Sequence, residues 1–592
     1  MTKQEKIYRI FMTTMIVIIA GLLLATGIIA VQKSMKLSVG VSITPSMLCK
    51  ITDSSNNVLF CNTTKNGQSL YVGEGFSASG TMLTLNKAFN GVAGEFSLKI
   101  YNYTTVATSG NVIKVTASGT GVETTSMWLP SYSSGTPTAG EINVTAVAGS
   151  ITLQFEEVAK PSFTITYNLT GCTTNQTSGA SVNYGTSYSA TITPTTGYLR
   201  PSTITVANIS TGGYSWDYST GVFTITDWTK VNGNITITVA ALPYTIGTYV
   251  ATDGTTPGYK VNDNTVYFPA FDGYKYIEIE GVEYPQTYKA GNVTITAITS
   301  GSEGTTGAIG TGSDGYKYYY QKAMQYQYKS GSTHQFSTTY GVSGWYKIEP
   351  IRWIIIGGNA DTSTYGAGAA TDKDGLVPGE LLLLSERVLY GVPFDGSHYT
   401  SSSSYQNIYY NGQASTSSDV WCSINGWTGS RGDSNSSTNN GVDYINQADA
   451  LHVRENYFIK LSGLEALMEN YPDLIVEKTL STTYKGGTDS SPHEIFLLGG
   501  TGSDSFLYSK YLGSSGDQRL IGYASGFAHA TSAYASDGAQ SSESRASFWW
   551  LRSGYSSYAD HVYVVGDDGN VYYDFVGYSN LGVRPCFILN LA

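Results

Sequence analysis

The chain has 592 residues and a formal net charge of −11, and only 13% of its residues are charged. Its many glycines and tyrosines, together with serine, threonine and asparagine, are typical of β-rich surface proteins, whose solubility rests on neutral polar side chains. Nucleic acid is excluded as a partner, because binding phosphates requires clustered lysine and arginine and the sequence has no such cluster.

Residues 1–36 predict a membrane segment. Three basic residues among the first nine precede an apolar run from Ile10 to Val31, and a helix needs about 20 apolar residues to span a bilayer. The basic flank favours an N-terminus that stays inside, which leaves the bulk of the chain extracellular. A retained single-pass anchor in the cell membrane is the preferred interpretation. The alternative is a signal peptide cleaved near Ala25-Thr26-Gly27, which would leave the protein secreted.

Residues 37–160 predict a β-sandwich domain. Runs such as Phe96–Ile100 and Ile151–Phe155 alternate apolar and polar residues with the strand period of two, and turn-forming clusters separate them. A hairpin centred on Ser55 would set Cys49 opposite Cys61, which would permit a disulfide in an oxidising compartment. Two half-buried free thiols are the alternative.

Residues 161–242 resemble the small Ig-like modules that are strung along many bacterial surface proteins. The resemblance rests on threonine-rich strands such as Phe163–Tyr167 and Ile235–Val239, and on a turn at Gly197-Tyr198. Such modules mostly act as stalks, and we expect this one to do the same.

Residues 243–315 predict a β-rich connecting segment that ends in a flexible Gly/Ser/Thr-rich linker at 300–315. Gly310-x-Gly312-x-x-Gly315 formally matches the dinucleotide-binding fingerprint. That fingerprint must open a helix, whereas the tyrosine-rich run that follows favours a strand, so nucleotide binding is not expected.

Residues 316–592 predict a separate α+β domain marked by an ordered series of motifs. A helix is expected between Asn456 and Tyr471, because Leu461, Leu464, Leu467 and Met468 follow helical spacing and Pro472 comes next. The motifs are Pro350-Ile351-Arg352-Trp353, Leu382 to Ser385, Trp421 with Trp427, Phe496 to Leu498, Trp549 to Ser553, and Gly582 to Pro585.

This series resembles a bacterial family of extracellular domains of unknown function, identified by its WWLRS strand and its terminal GVRP. That family is similar to the C-type-lectin-like fold of formylglycine-generating enzymes and of variable proteins made by diversity-generating retroelements. The resemblance therefore implies a C-type-lectin-like domain. The fold class expected for the whole chain is multidomain and mainly β, with an N-terminal transmembrane helix, β-sandwich and Ig-like modules, and this C-terminal α+β domain.

Six residues of these motifs are expected to be structural. Large aromatic rings in strands normally enter the core, and arginines in apolar context pair with buried acceptors or aromatic faces. The six are Trp353, Trp549, Trp550, Arg552, Gly582 and Arg584.

Residues 553–580 are the predicted ligand-binding surface. This stretch holds six of the 47 tyrosines, mixed with serine, aspartate, glycine and asparagine, and contains no lysine, arginine or glutamate. Tyrosine supplies rigid contact area at low entropic cost, and the small polar residues supply adaptable hydrogen bonds. The same residue types arise when retroelements mutagenise asparagine codons. The predicted contact residues are Tyr555, Ser556, Tyr558, Asp560, His561, Tyr563, Tyr572, Tyr573, Asp574, Tyr578 and Asn580.

No enzymatic activity, metal or other cofactor is expected. The six histidines are scattered singly, and no C-x-x-C motif exists. The catalytic variant of the resembled fold uses cysteines, but Cys422 and Cys586 lie in contexts unlike that site, so a thiol-modifying enzyme is disfavoured. Asp567-Asp568-Gly569-Asn570 is interpreted as a β-turn rather than a calcium site.

The function expected from the sequence is ligand binding or adhesion at the cell surface. The membrane would hold the N-terminal helix, the β modules would form a stalk, and the C-terminal domain would bind an unknown protein or glycan. The alternative is a structural cell-surface or matrix protein that assembles with its own copies through the β modules.

Overall fold

A computed structural model describes residues 47–591, with gaps at 74, 80, 87–95, 120, 123–125, 138, 145–149, 202, 250–268, 290, 331–332, 371–373, 393, 395–409, 411–417, 426–457, 485–486, 537–544, 559 and 579. Several β-sheets dominate the described residues, which confirms the mainly β prediction. The predicted membrane segment and Trp427 lie outside the described residues. In the part that is described, no helix has both the length and the apolarity needed to cross a membrane.

Two five-stranded sheets form the N-terminal unit, in the strand orders β3-β2-β1-β6-β9 and β4-β5-β10-β7-β8. Their facing apolar residues, among them Ile51, Ile100, Val115 and Leu153, form one buried cluster. The strands are β1 Cys49–Thr52, β2 Val58–Cys61, β3 Tyr71–Val72, β4 Phe76–Ser79, β5 Met82–Asn86, β6 Phe96–Asn102, β7 Asn111–Gly119, β8 Ser126–Leu129, β9 Ala139–Val144 and β10 Ser150–Ala159.

The β1–β2 hairpin does not set the two cysteines opposite each other. Its register pairs Cys61 with Lys50, one residue away from the predicted partner Cys49. Because side chains alternate between faces, this shift sends the two thiols to opposite sides of the sheet. Both are buried and free, and burial raises the pKa of the Cys49 thiol. The structure therefore favours the free-thiol alternative.

The second unit consists of two four-stranded sheets, in the orders β13-β11-β19-β16 and β12-β14-β18-β17. Ile165, Ile192, Phe223 and Ile237 belong to its buried cluster. Its strands are β11 Ser162–Thr170, β12 Cys172–Thr174, β13 Ala180–Asn183, β14 Ser189–Pro194, β15 Tyr198–Leu199, β16 Thr205–Ile209, β17 Tyr214–Asp217, β18 Val222–Ile225 and β19 Val231–Ala240, and β15 pairs outside these two sheets.

Three larger sheets and three strand pairs continue from residue 242. The larger sheets run β15-β20-β21-β29-β30-β41-β34, β22-β28-β25-β24-β23 and β31-β40-β37-β38-β39. The strands are β20 Leu242–Thr248, β21 Lys275–Ile279, β22 Glu283–Tyr288, β23 Ile295–Ser300, β24 Ile309–Gly312, β25 Lys317–Gln321, β26 Gln325–Ser330, β27 Thr333–Thr339, β28 Gly344–Pro350, β29 Trp353–Gly358, β30 Glu380–Ser385, β31 Tyr390–Gly391, β32 Lys478–Tyr484, β33 Gly487–His493, β34 Ile495–Phe496, β35 Gly522–Ala524, β36 Arg545–Ser547, β37 Trp549–Gly554, β38 His561–Val565, β39 Val571–Phe575, β40 Gly582–Val583 and β41 Cys586–Asn590.

The boundary predicted at residue 316 falls inside this system of sheets. β21 pairs with β29, β22 with β28 and β24 with β25, so hydrogen-bonded ladders cross the boundary three times. One buried cluster also extends across it, from Leu199 to Leu589. The segment 300–315 is likewise not a simple flexible linker, because part of it forms β24 within a sheet.

The α-helices among the described residues are short: α1 Thr362–Tyr365, α2 Asp419–Asn425, α3 Phe458–Leu461, α4 Leu464–Asn470, α5 Tyr508–Tyr511 and α6 Gly526–Ala530. The helix predicted between Asn456 and Tyr471 is divided into α3 and α4. Gly463 separates them with a φ of 81°, in the left-handed region that interrupts a right-handed helix.

Candidate binding face

The predicted contact residues lie around β38 and β39, at one edge of the sheet β31-β40-β37-β38-β39. An antiparallel register pairs Tyr563 with Tyr573 and His561 with Phe575. Directly opposed residues point to the same face of a sheet, so these four rings share one face. The alternate residues Val562 and Val564 are fully buried on the other face.

Five aromatic side chains form a continuous patch on this face, which we call the tyrosine face: Tyr555, Tyr558, His561, Tyr563 and Tyr573. The rings of Tyr555 and Tyr573 stack with centroids 3.9 Å apart and an interplanar angle of 9°. Tyr558 lies 5.8 Å from Tyr555 and 5.2 Å from His561. Tyr563 meets Tyr555 edge to face at 5.6 Å. Each ring of the patch therefore packs against at least one other ring, in the offset or edge-to-face arrangements that aromatic pairs prefer.

The tyrosine face is open to solvent at two of its rings. The exposed fraction is 51% for Tyr558 and 44% for Tyr573, and Ser556 beside them is exposed as well. Asp560 lies at its border, and its carboxylate accepts a hydrogen bond of 2.7 Å from the His561 ring. The face therefore combines broad aromatic area with small polar groups.

Four of the predicted contact residues lie apart from the tyrosine face. Tyr572 and Asp574 alternate with Tyr573 along β39 and so point to the opposite side. The Tyr572 hydroxyl donates to the Asp568 carboxylate at 2.8 Å, and burial raises the pKa of Asp574. Tyr578 packs beside Phe575, with ring centroids 5.8 Å apart, and the carbonyl of Asn580 accepts from the amide of Tyr534.

A buried polar network supports the tyrosine face from below. The backbone of Gly500 lies against Tyr563 and leaves no space for a Cβ atom. The amide of Gly500 donates to the Asp504 carboxylate at 3.0 Å and to the Ser553 hydroxyl at 2.6 Å. Ser553 in turn donates to Asp504. Nothing in the sequence marks Asp504 as part of this network, because its partners Ser553 and Thr483 come from distant segments.

The predicted structural residues lie in the core. Arg552 is buried and donates to the carbonyls of Leu497 and Ser505, and to further acceptors on β32. Arg584 donates to the carbonyl of Ser385 at 2.9 Å, and its guanidinium lies 5.4 Å from the Trp549 ring centre. Trp353, Trp549 and Trp550 are fully buried, and Gly582 packs closely against Val388.

No group of three or more potential metal ligands occurs within the described parts of the chain. In the Asp567–Asn570 turn, the Asp568 carboxylate accepts hydrogen bonds from the Asn570 amide, the Asn570 side chain and the Tyr572 hydroxyl. These bonds, together with the one from the Gly566 amide to the Asn570 carbonyl, hold the turn closed.

Comparison with known proteins covers part of this region. Residues 378–591 match the model of a family described as a domain of unknown function (DUF6273), so the chain contains such a domain there. No curated protein and no solved structure matches the chain. The matched range includes Trp549 to Ser553 and Gly582 to Pro585 and begins after Pro350-Ile351-Arg352-Trp353. The part of the resemblance that this confirms is a domain of unknown function at residues 378–591.

Proposed function

We propose that this protein binds a protein or glycan ligand at the cell surface through the tyrosine face. One observation carries the proposal: the stacked rings of Tyr555 and Tyr573 lie beside the exposed ring of Tyr558 on a fixed, solvent-facing patch. Preorganised aromatic rings lose little conformational freedom on binding, and tyrosine is enriched among residues that dominate binding energy.

The surroundings of the patch support the same function. Serines border it, and residues 553–580 contain no lysine or arginine whose long side chain would cover the rings. Asp560 and His561 add hydrogen-bonding groups at the border. This combination suits a ligand with flat apolar area and hydroxyl or amide groups, as in a sugar or a polar protein loop.

The proposal includes three further elements. The first is a C-type-lectin-like fold for the C-terminal domain, supported by the motif resemblance. The second is diversification of residues 553–580 by a retroelement, supported by the match between their composition and the products of asparagine-codon mutagenesis. The third is attachment to the membrane through residues 1–36, supported by the basic and apolar pattern of that segment.

The experiment compares two neighbouring tyrosines on glycan and protein arrays probed with the full chain. Tyr573→Ala removes the stacking partner of Tyr555 and should weaken binding about tenfold or more, as expected for an aromatic hot spot. Tyr572→Ala is the matched control, because Tyr572 has a similar exposed fraction, 45%, but points to the opposite side of β39. Equal loss in both variants, or loss only in the control, would contradict the proposed face.

A further inference from the structure

The second β unit joins its first and last strands directly to each other. β11 and β19 pair in parallel over six residue pairs, from Ile165 with Ile235 to Thr170 with Ala240. The amide of Ala241 adds a further bond to the carbonyl of Thr170. Because the strands are parallel, the chain enters at one end of this ladder and leaves at the other.

This pairing determines how the unit responds to tension applied along the chain. Force towards the N-terminus draws β11 in one direction, and force towards the C-terminus draws β19 in the other, along their common axis. All bonds of the ladder are then loaded in shear at the same time, and the bonds of a parallel pair are evenly spaced. The two strands can therefore separate only when the hydrogen bonds between them break together rather than one after another.

Short connections to the neighbouring strands transmit tension directly to the β11–β19 ladder. Only residues 160–161 separate β10 from β11, and only residue 241 separates β19 from β20. Aromatic contacts also brace the joint with the N-terminal unit. The ring of Trp128 meets that of Phe163 at 4.9 Å, and the Tyr184 hydroxyl donates to the Trp128 carbonyl at 2.7 Å.

The N-terminal unit lacks this arrangement among its described residues. β1 lies in the sheet β3-β2-β1-β6-β9, whereas β10 lies in the other sheet of the unit. No ladder therefore connects β1 to β10, so we expect this unit to unfold when its two sheets separate. The N-terminal unit therefore serves as an internal control for the unfolding force of the second unit.

We propose that the unit from Ser162 to Ala240 is a force-bearing link that holds its fold while tension acts along the chain. Its use between a membrane anchor and a bound ligand rests on the proposed function. The shear resistance itself does not, since it follows from the pairing of β11 with β19 alone.

Single-molecule stretching tests the link without any ligand. The full chain is held in a detergent micelle by handles at its two ends and stretched at one loading rate. Unfolding of about 80 residues, at 3.3–3.6 Å each, should lengthen the chain by roughly 25 nm. We expect this step at a force about twofold or more above that of the N-terminal unit. A step at equal or lower force would overturn the proposal.

Changing the direction of pull provides a control that leaves the sequence of the ladder intact. A handle inserted at the exposed turn residue Gly212 lies just beyond β16, whose Ile209 pairs with Val231 at the start of β19. Pulling from the N-terminus against this handle loads the unit from one end, so the bonds open one at a time. The unfolding force should fall about twofold or more. An unchanged force would show that the ladder is not the resisting element.

A pair of proline variants separates mechanical strength from thermal stability. The backbone carbonyl of Thr170 points towards β19 and accepts from the Ala241 amide. Along a parallel strand, the backbone N–H and C=O groups of every second residue point to the same neighbouring strand, so the amide of Asn168 also points towards β19. Asn168→Pro removes that donor and should lower the unfolding force. Ala207→Pro acts on β16, outside the loaded ladder, and should leave the force unchanged at a comparable loss of melting temperature. If Asn168→Pro does not fold, pulling against the handle at Gly212 still tests whether the β11–β19 ladder resists the force.

Discussion

His493 is a buried histidine whose hydrogen bonds fix its charge state. The indole N–H of Trp421 can only donate, so Nδ1 of His493 accepts this bond of 3.0 Å and must be unprotonated. Nε2 then carries the proton and donates to the Ser491 hydroxyl at 2.8 Å. Burial, reinforced by the charge of Arg552, lowers the pKa of His493 to about 4.

This shift predicts how stability depends on pH. The unfolded chain binds a proton at His493 near pH 6.5 and the folded chain only near pH 4, so the contribution is complete above pH 6.5 and is lost as pH falls towards 4. The loss reaches about 3 kcal/mol. His493→Gln should reduce the fall in unfolding free energy between pH 7 and pH 4.5, measured by urea denaturation. An unchanged pH dependence would show that His493 does not titrate in this way.

At the residue scale, the sequence predicted the kinds of partner that a side chain has better than it predicted where the side chain points. Arg552 and Arg584 were expected to pair with buried acceptors or aromatic rings, since a guanidinium in an apolar segment needs such partners. Tyr572 and Tyr573 were expected on one binding surface, although adjacent strand residues point apart. Composition marks a tyrosine-rich segment, but only the strand register decides which rings meet.

At the element scale, the division between α3 and α4 depends on Gly463. Its φ of 81° is costly for other residues, and an added Cβ would lie 2.3 Å from the carbonyl oxygen of Gly281. The apolar spacing from Leu461 to Met468 predicted one helix, because a spacing pattern does not register a single left-handed residue. The break lets Ser462 accept a hydrogen bond from the amide of Glu283 on β22.

Gly463→Ala should therefore destabilise the protein for two reasons. The left-handed backbone costs about 1–2 kcal/mol, and the steric overlap adds about 1–3 kcal/mol. Gly281→Ala is the matched control, because its φ is 80° but no atom lies within 4 Å of its added Cβ. Thermal denaturation should show the larger drop in melting temperature for Gly463→Ala. Equal drops would mean that the overlap relaxes freely.

At the scale of the whole molecule, long-range pairing determines where the C-terminal folding unit begins. Changes in composition suggested a start at residue 316, but β20 and β21, within residues 242–279, belong to the sheet β15-β20-β21-β29-β30-β41-β34. The local sequence pattern could not reveal this, because a strand whose partner lies 76–78 residues later shows the same alternation as any other strand. The mainly β class was accessible because the period of two is local.

A truncation pair tests this boundary. A fragment that starts at residue 316 lacks seven buried side chains that a fragment starting at residue 241 retains. At about 1.5–3 kcal/mol each, their combined contribution reaches the unfolding free energy of a whole domain, about 5–15 kcal/mol. The seven are Tyr244, Tyr249, Phe271, Ile277, Ile279, Val282 and Tyr284. The buried Glu386 would also lose the hydroxyl of Tyr249, which donates to it at 2.9 Å. We expect residues 241–592 to unfold cooperatively in calorimetry and residues 316–592 to show no cooperative transition. A shared melting temperature for the two fragments would place the boundary at 316 after all.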